Sequence, residues 1–175
     1  PISLAWDGGR VKLRDRRVML RSMSARDHLL RAIAHAHAIR VVAVITTEPA
    51  TQDLTVANHE ASSATPAQLE LTIRGVTEGV EHGIAVAING HSVSTATLAN
   101  SESLTFSWDI PHSWLVQGPN TIALAALGGE VDVSVLVSAR LTYQHLLRAD
   151  DGLFEAELPA SRQVTIGDFP NDTIR

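Results

Sequence analysis

The sequence predicts a mainly β protein, an antiparallel β-sandwich or jelly roll with one short helix near its N-terminus. Three observations carry this. From Leu69 onward, apolar and polar residues alternate over several short runs, the period of a strand with one buried face. Turn residues recur between those runs, above all Asn89-Gly90. Few stretches hold helical spacing, which argues against a doubly wound α/β sheet.

Residues 1–47 are expected to form N-terminal strands and the helix, packed on the sandwich. Ile2 to Trp6 is a strand ending at the turn signal Asp7-Gly8-Gly9. Val11 to Leu20 alternates apolar and basic residues, as a half-exposed strand does. Ser24 and Asp27 are spaced to cap a helix, and Leu29, Leu30, Ile33 and Ala36 then fall at helical spacing. The same segment also alternates through Ala32, Ala34, Ala36 and Ala38, so two strands stay open as the other reading. Arg40 to Thr47 reads as a buried strand by its β-branched residues.

Residues 48–67 are polar, with Pro49 and Pro66 near the ends, and predict a long connecting loop. Residues 68–145 are expected to hold the sandwich core. Leu69, Leu71 and Ile73 share one face of a strand. Ile84 to Ile88 and His91 to Thr95 flank Asn89-Gly90, whose tolerance of positive φ suits a type I′ hairpin turn. Leu104 to Ile110 is a further strand. Thr121 to Leu127 and Val131 to Thr142 are expected as a second hairpin around Gly128-Gly129, with Val131, Val133, Val135 and Val137 inward. Residues 146–175 are expected to add one edge strand and then an arm.

At 175 residues, 45% of them apolar, the chain suits one domain, or a domain with an appendage, and needs neither disulfide nor metal to fold. The absence of cysteine removes disulfides, thiolate zinc sites and cysteine nucleophiles together. A net charge of −5 argues against a general nucleic-acid partner. The basic run from Arg10 to Arg26 reads as the solvated face of two strands. No apolar run approaches the ~18 residues of a membrane-spanning helix. PISLAWDGG lacks the pattern of a secretory signal, so the default expectation is a cytoplasmic protein.

Three pieces of the chain carry a family resemblance: Ala87-Ile88-Asn89-Gly90, Phe106-Ser107-Trp108-Asp109-Ile110, and Leu115-Val116-Gln117-Gly118-Pro119-Asn120-Thr121-Ile122. In this order, Leu69 to Tyr143 resembles the galactose-binding-like jelly roll of carbohydrate-binding modules and of sugar-binding domains beside glycosidases. The resemblance covers under half of the chain, and its motifs specify turns and a packed ledge rather than ligand chemistry. Gly118 and Asn120 belong to that ledge by the backbone freedom of one and the hydrogen bonding of the other.

The candidate binding residues are Trp114, His112, Trp108 and His91. A pyranose ring presents an apolar face that packs on an indole, and a sugar site adds a few polar groups to such a platform. Trp108 alternates with Phe106 and Ile110, which is also the pattern of a core residue; Tyr143 is a further aromatic candidate. His35 and His37 would share one side of a strand but diverge on a helix, so a metal pair there depends on the local fold. Asp150-Asp151-Gly152 and Asp53 offer oxygen donors for calcium; no other cofactor is expected. Glu78, Glu81, His82, Glu102, Asp109 and His112 could meet at one end of the sandwich as acid–base groups, with solvated loop charges as the plainer reading. No G-x-S-x-G, H-E-x-x-H or phosphate-cradling glycine loop is present.

The sequence therefore favours a non-catalytic β-sandwich that recognises a carbohydrate or other small-molecule ligand. Two further readings stay open. One is an assembly module that contacts a partner protein or a second copy through its N-terminal segment and C-terminal arm. The other is a small cofactor-free cyclase or isomerase using the sandwich cavity.

Overall fold

The computed structural model describes residues 2–6, 9–14, 29–30, 32–151, 153–158 and 162–169. The strands, in chain order, are β1 (Ile2–Trp6), β2 (Gly9–Arg14), β3 (Leu29–Leu30), β4 (Ala32–Ile45), β5 (Ala50–Val56), β6 (Ala67–Gly75) and β7 (Glu81–Ile88). They continue with β8 (His91–Ala99), β9 (Ser103–Ile110), β10 (Gly118–Ala126), β11 (Ser134–Leu146), β12 (Leu153–Leu158) and β13 (Arg162–Ile166). A 3-10 turn, His112–Trp114, sits between β9 and β10. No helix of the described residues is long and apolar enough to cross a membrane.

The chain divides into two compact units, one of Ala36–Val56 and Ala61–Tyr143, the other of Pro1–His35, Ala57–Glu60 and Gln144–Arg175. The first unit is a jelly roll. One of its four-stranded sheets has the order β5-β10-β7-β8, the other β4-β11-β6-β9. Strict alternation builds the core between them. In β6, residues 67, 69, 71, 73 and 75 are buried while Gln68 and Arg74 face solvent. In β7, residues 82, 84, 86 and 88 are buried. Ile73, Ile84, Ile88, Ile122, Leu124, Leu136 and Leu141 meet in that core with Tyr143. In the second unit, β2 pairs antiparallel with β12, while β13 lies antiparallel to β1 and parallel to β3.

Partner strands nest around Asn89-Gly90. Outward from that turn, β7 pairs with β8, β6 with β9 and β5 with β10; β4 then lies beside β11, β2 beside β12 and β1 beside β13.

Five expectations need correction. The expected helix is absent where it is described: residues 32–45 are strand, and the cap at Ser24 and Asp27 lies outside the described residues. The alanines favour helix locally, but the run continues into Val41, Val42, Val44 and Ile45 and takes its place beside β11, so sheet pairing overrides propensity. The expected loop 48–67 contains β5, which buries Leu54 and Val56 and pairs with β10. β10 and β11 are not a hairpin: they lie in different sheets, and Gly128-Gly129 is on the crossing between them. The buried residues of β11 are Ser134, Leu136, Ala139, Leu141, Tyr143 and His145, whereas Val131 and Val137 are exposed. A bulge between Leu136 and Ser138 shifts the phase that the valine run suggests. Finally, β1 and β2 pair with tail strands, and the tail supplies two strands rather than one. Residues 15–22 lie outside the described residues.

Candidate functional site

Asn89 and Gly90 have φ of 49° and 80°, the left-handed pair that a type I′ turn between β7 and β8 requires. The Asn89 side chain then does more than turn the chain. Its Nδ2 donates to the Trp114 carbonyl at 2.8 Å and to Asn120 Oδ1 at 2.7 Å, while its Oδ1 accepts from the Thr121 N–H at 2.9 Å. Asn120 is fully buried. Its Nδ2 donates to the carbonyls of Val116 at 2.8 Å and Gly118 at 2.9 Å, and its Oδ1 also accepts from the Val116 N–H at 2.9 Å. The two amides therefore lock the ledge, residues 111–117, onto the hairpin turn.

That lock sets the aromatic groups. His91 opens β8, and its exposed ring stacks on Trp114, with centroids 4.7 Å apart and planes 9° from parallel. Trp114 is half-buried and rests on the core. Ser113 and Gln117 are exposed on the same ledge. Of the other candidates, His112 is buried within the ledge. Trp108 lies on β9, stacked on Phe106 at 5.7 Å and packed against the core. Tyr143 is a core residue.

His82, expected among solvated loop charges, is fully buried at the other end of β7. Its Nδ1 lies 2.6 Å from Asp132 Oδ1 and its Nε2 lies 3.1 Å from the Thr77 carbonyl. Asp132, also fully buried, accepts on Oδ2 from the N–H groups of Gly128 at 3.0 Å and Gly83 at 3.3 Å. Thr77 Oγ1 donates to the Val131 carbonyl at 2.7 Å, so the β6–β7 and β10–β11 loops are tied together around the pair. Every polar atom of this dyad is turned inward, which makes it a structural staple rather than an exposed acid–base pair. Glu102 caps its own turn, accepting from the Ala99 N–H at 3.2 Å. Sequence reading missed Asp132, because it stands among valines whose alternation points the wrong residues inward.

The calcium candidates divide between the two units. Asp53 lies on β5 and accepts from Thr121 Oγ1 at 2.6 Å. Asp150 accepts from Asn58 Nδ2 at 2.7 Å on one oxygen, and its other oxygen lies 2.9 Å from His145 Nε2. His145 Nδ1 also meets the Leu146 carbonyl. Among the described residues, no group of three or more histidines, aspartates or glutamates is placed to hold a metal ion. His37 is half-buried on β4, and the side chain of His35 lies outside the described residues. An open groove of about 290 Å³ lies at the Glu81 end of β7, lined by Glu81, Gly83, Thr97, Leu127 and Gly128. Its one titratable lining residue supplies no acid–base pair.

No family model and no curated protein matches the chain. Solved structures do resemble it. Dimeric latent PorU from Porphyromonas gingivalis matches 74% of this chain with a TM-score of 0.51 at 11% identity, and this chain spans 14% of that one. A family 35 carbohydrate-binding module from an environmental isolate matches 66% of this chain and 74% of its own, with a TM-score of 0.41 at 18% identity. A carbohydrate-binding module, CBM36, solved with calcium and xylotriose, matches 61% of this chain and 87% of its own, with a TM-score of 0.40 at 12% identity. At 11% identity, the likeness to PorU is one of fold alone.

Proposed function

We propose that this chain is a non-catalytic ligand-binding module that takes a carbohydrate or glycan-like ligand on its ledge. The observation that carries this is the stacked pair His91–Trp114, an aromatic platform at the surface whose backbone is held by the Asn89–Asn120 network. A sugar face packing on such a platform meets little conformational cost, because the amide network has ordered the platform beforehand. Ser113 and Gln117 supply hydrogen-bonding groups on the same ledge. His112 fills the ledge from within and Trp108 the edge of the opposite sheet, so His91 and Trp114 are the contact residues.

A glycan array probed with the purified chain, with and without calcium, tests this. Saccharide binding is expected, with a loss of at least ~5-fold in affinity for Trp114→Ala, since an aromatic contact contributes on the order of 1 kcal/mol or more. His91→Ala should weaken the same saccharides. A blank array in both conditions, or binding untouched by either substitution, would overturn the proposal.

A further inference from the structure

β9 ends the sheet β4-β11-β6-β9, so one side of its backbone faces away from any neighbouring strand in that sheet. Its register against β6 is continuous from Ala67 opposite Ile110 to Arg74 opposite Ser103, with no bulge. Within its eight residues it has no lysine, proline or glycine, and its one charge is Asp109. Those are the features by which edge strands avoid pairing with another chain, and β9 lacks them. The other edges of the jelly roll's first sheet are guarded. β8 carries an irregularity opposite Val86 and Ala87, which twists an edge away. β5 has Asp53 at its middle, so a symmetric pairing of β5 would set like charges face to face.

We propose that two copies of this chain associate through β9, antiparallel and centred on Phe106, to make one eight-stranded sheet. In that register Leu104 faces Trp108 of the second copy, Phe106 faces its own equivalent, Thr105 faces Ser107, and Ser103 faces Asp109. The apolar row meets an apolar row: Leu104 is 40% exposed in the single chain, and Phe106 and Trp108 are only partly buried. The polar row pairs hydroxyls with hydroxyls, extending the Thr72–Thr105 hydroxyl bond of 2.9 Å, and sets each Asp109 against a serine instead of a charge. A twofold interface requires such self-complementarity. Pro111, which lacks an N–H, stays outside the ladder.

The chain contains no cysteine, so a register-specific cross-link reads the proposal directly. Thr105→Cys and Ser107→Cys chains, mixed and oxidised, are expected to form a disulfide-linked dimer, because opposed residues of antiparallel strands lie within disulfide reach. Neither variant alone should link, since each cysteine would face a wild-type residue. Sedimentation of the unmodified chain should give twice the monomer mass at high concentration. Leu104→Lys should return it to monomer, with a urea midpoint equal to that of the parent chain at concentrations low enough for the parent to be monomeric. A monomer at all concentrations, a dimer in which the mixture does not link, or linking by Ser107→Cys alone would each overturn the proposal.

Discussion

Asn120 shows what one buried amide does when all of its hydrogen-bonding capacity is used. Both its N–H groups point at ledge carbonyls, and its oxygen accepts from Val116 and from Asn89. Asn120→Asp keeps the shape and removes the two donors, so a carboxylate would face two carbonyl oxygens. We expect a loss of about 2–4 kcal/mol of stability, from desolvated groups left unpaired, measured by urea unfolding. A loss under about 0.5 kcal/mol would show that the ledge holds without this amide. Asn89-Gly90 was legible in the sequence, because few dipeptides take two positive φ values. The role of Asn120 was half legible: its place in a turn motif was, its partner Asn89 was not. The His91–Trp114 stack could not be read at all, since nothing in the intervening sequence states that the turn and the ledge meet.

At the scale of elements, alternation was the reliable signal and its interruptions were not. β6, β7 and β9 fall where the period of two places them. β4 was misread because alanine satisfies both periods, and only its partner strand decides between them. β5 was hidden because only its last residues alternate with apolar ones, and its early positions suit a polar loop. The valines before and within β11 misled because one bulge reverses the faces. The crossing between β10 and β11 depends on the His82–Asp132 staple, since Asp132 holds the N–H of Gly128 in the crossing and that of Gly83 in β7. Asp132→Ala would leave His82 buried without its carboxylate, and we expect about 3–5 kcal/mol of destabilisation. Hydrogen exchange should rise first at residues 75–80 and 127–133, well before the β7–β8 turn. Uniform exchange across the sheet would mean that the staple acts globally instead of locally.

In chain order, the strand pairs β7–β8, β6–β9, β5–β10, β4–β11, β2–β12 and β1–β13 each enclose the one before. Pairs nearest Asn89-Gly90 close the shortest loops and have the smallest entropic cost to form. Gly90 has open space around the position of a Cβ, so Gly90→Ala meets no clash and costs only its positive φ, about 1 kcal/mol. We expect that cost to appear mainly as slower folding, with a φ-value above about 0.5 in stopped-flow kinetics. A φ-value near zero would place the nucleus elsewhere. None of β1 to β7 pairs with another member of that group among the described pairings; every partner lies between β8 and β13. A ribosome therefore releases β1 to β7 before any described sheet partner of theirs has been made, with their backbone edges unpaired until translation passes the turn. Vectorial synthesis thus gives those strands no sheet ladder to join, and a translational pause before His91 is expected to leave the nascent chain most open to aggregation.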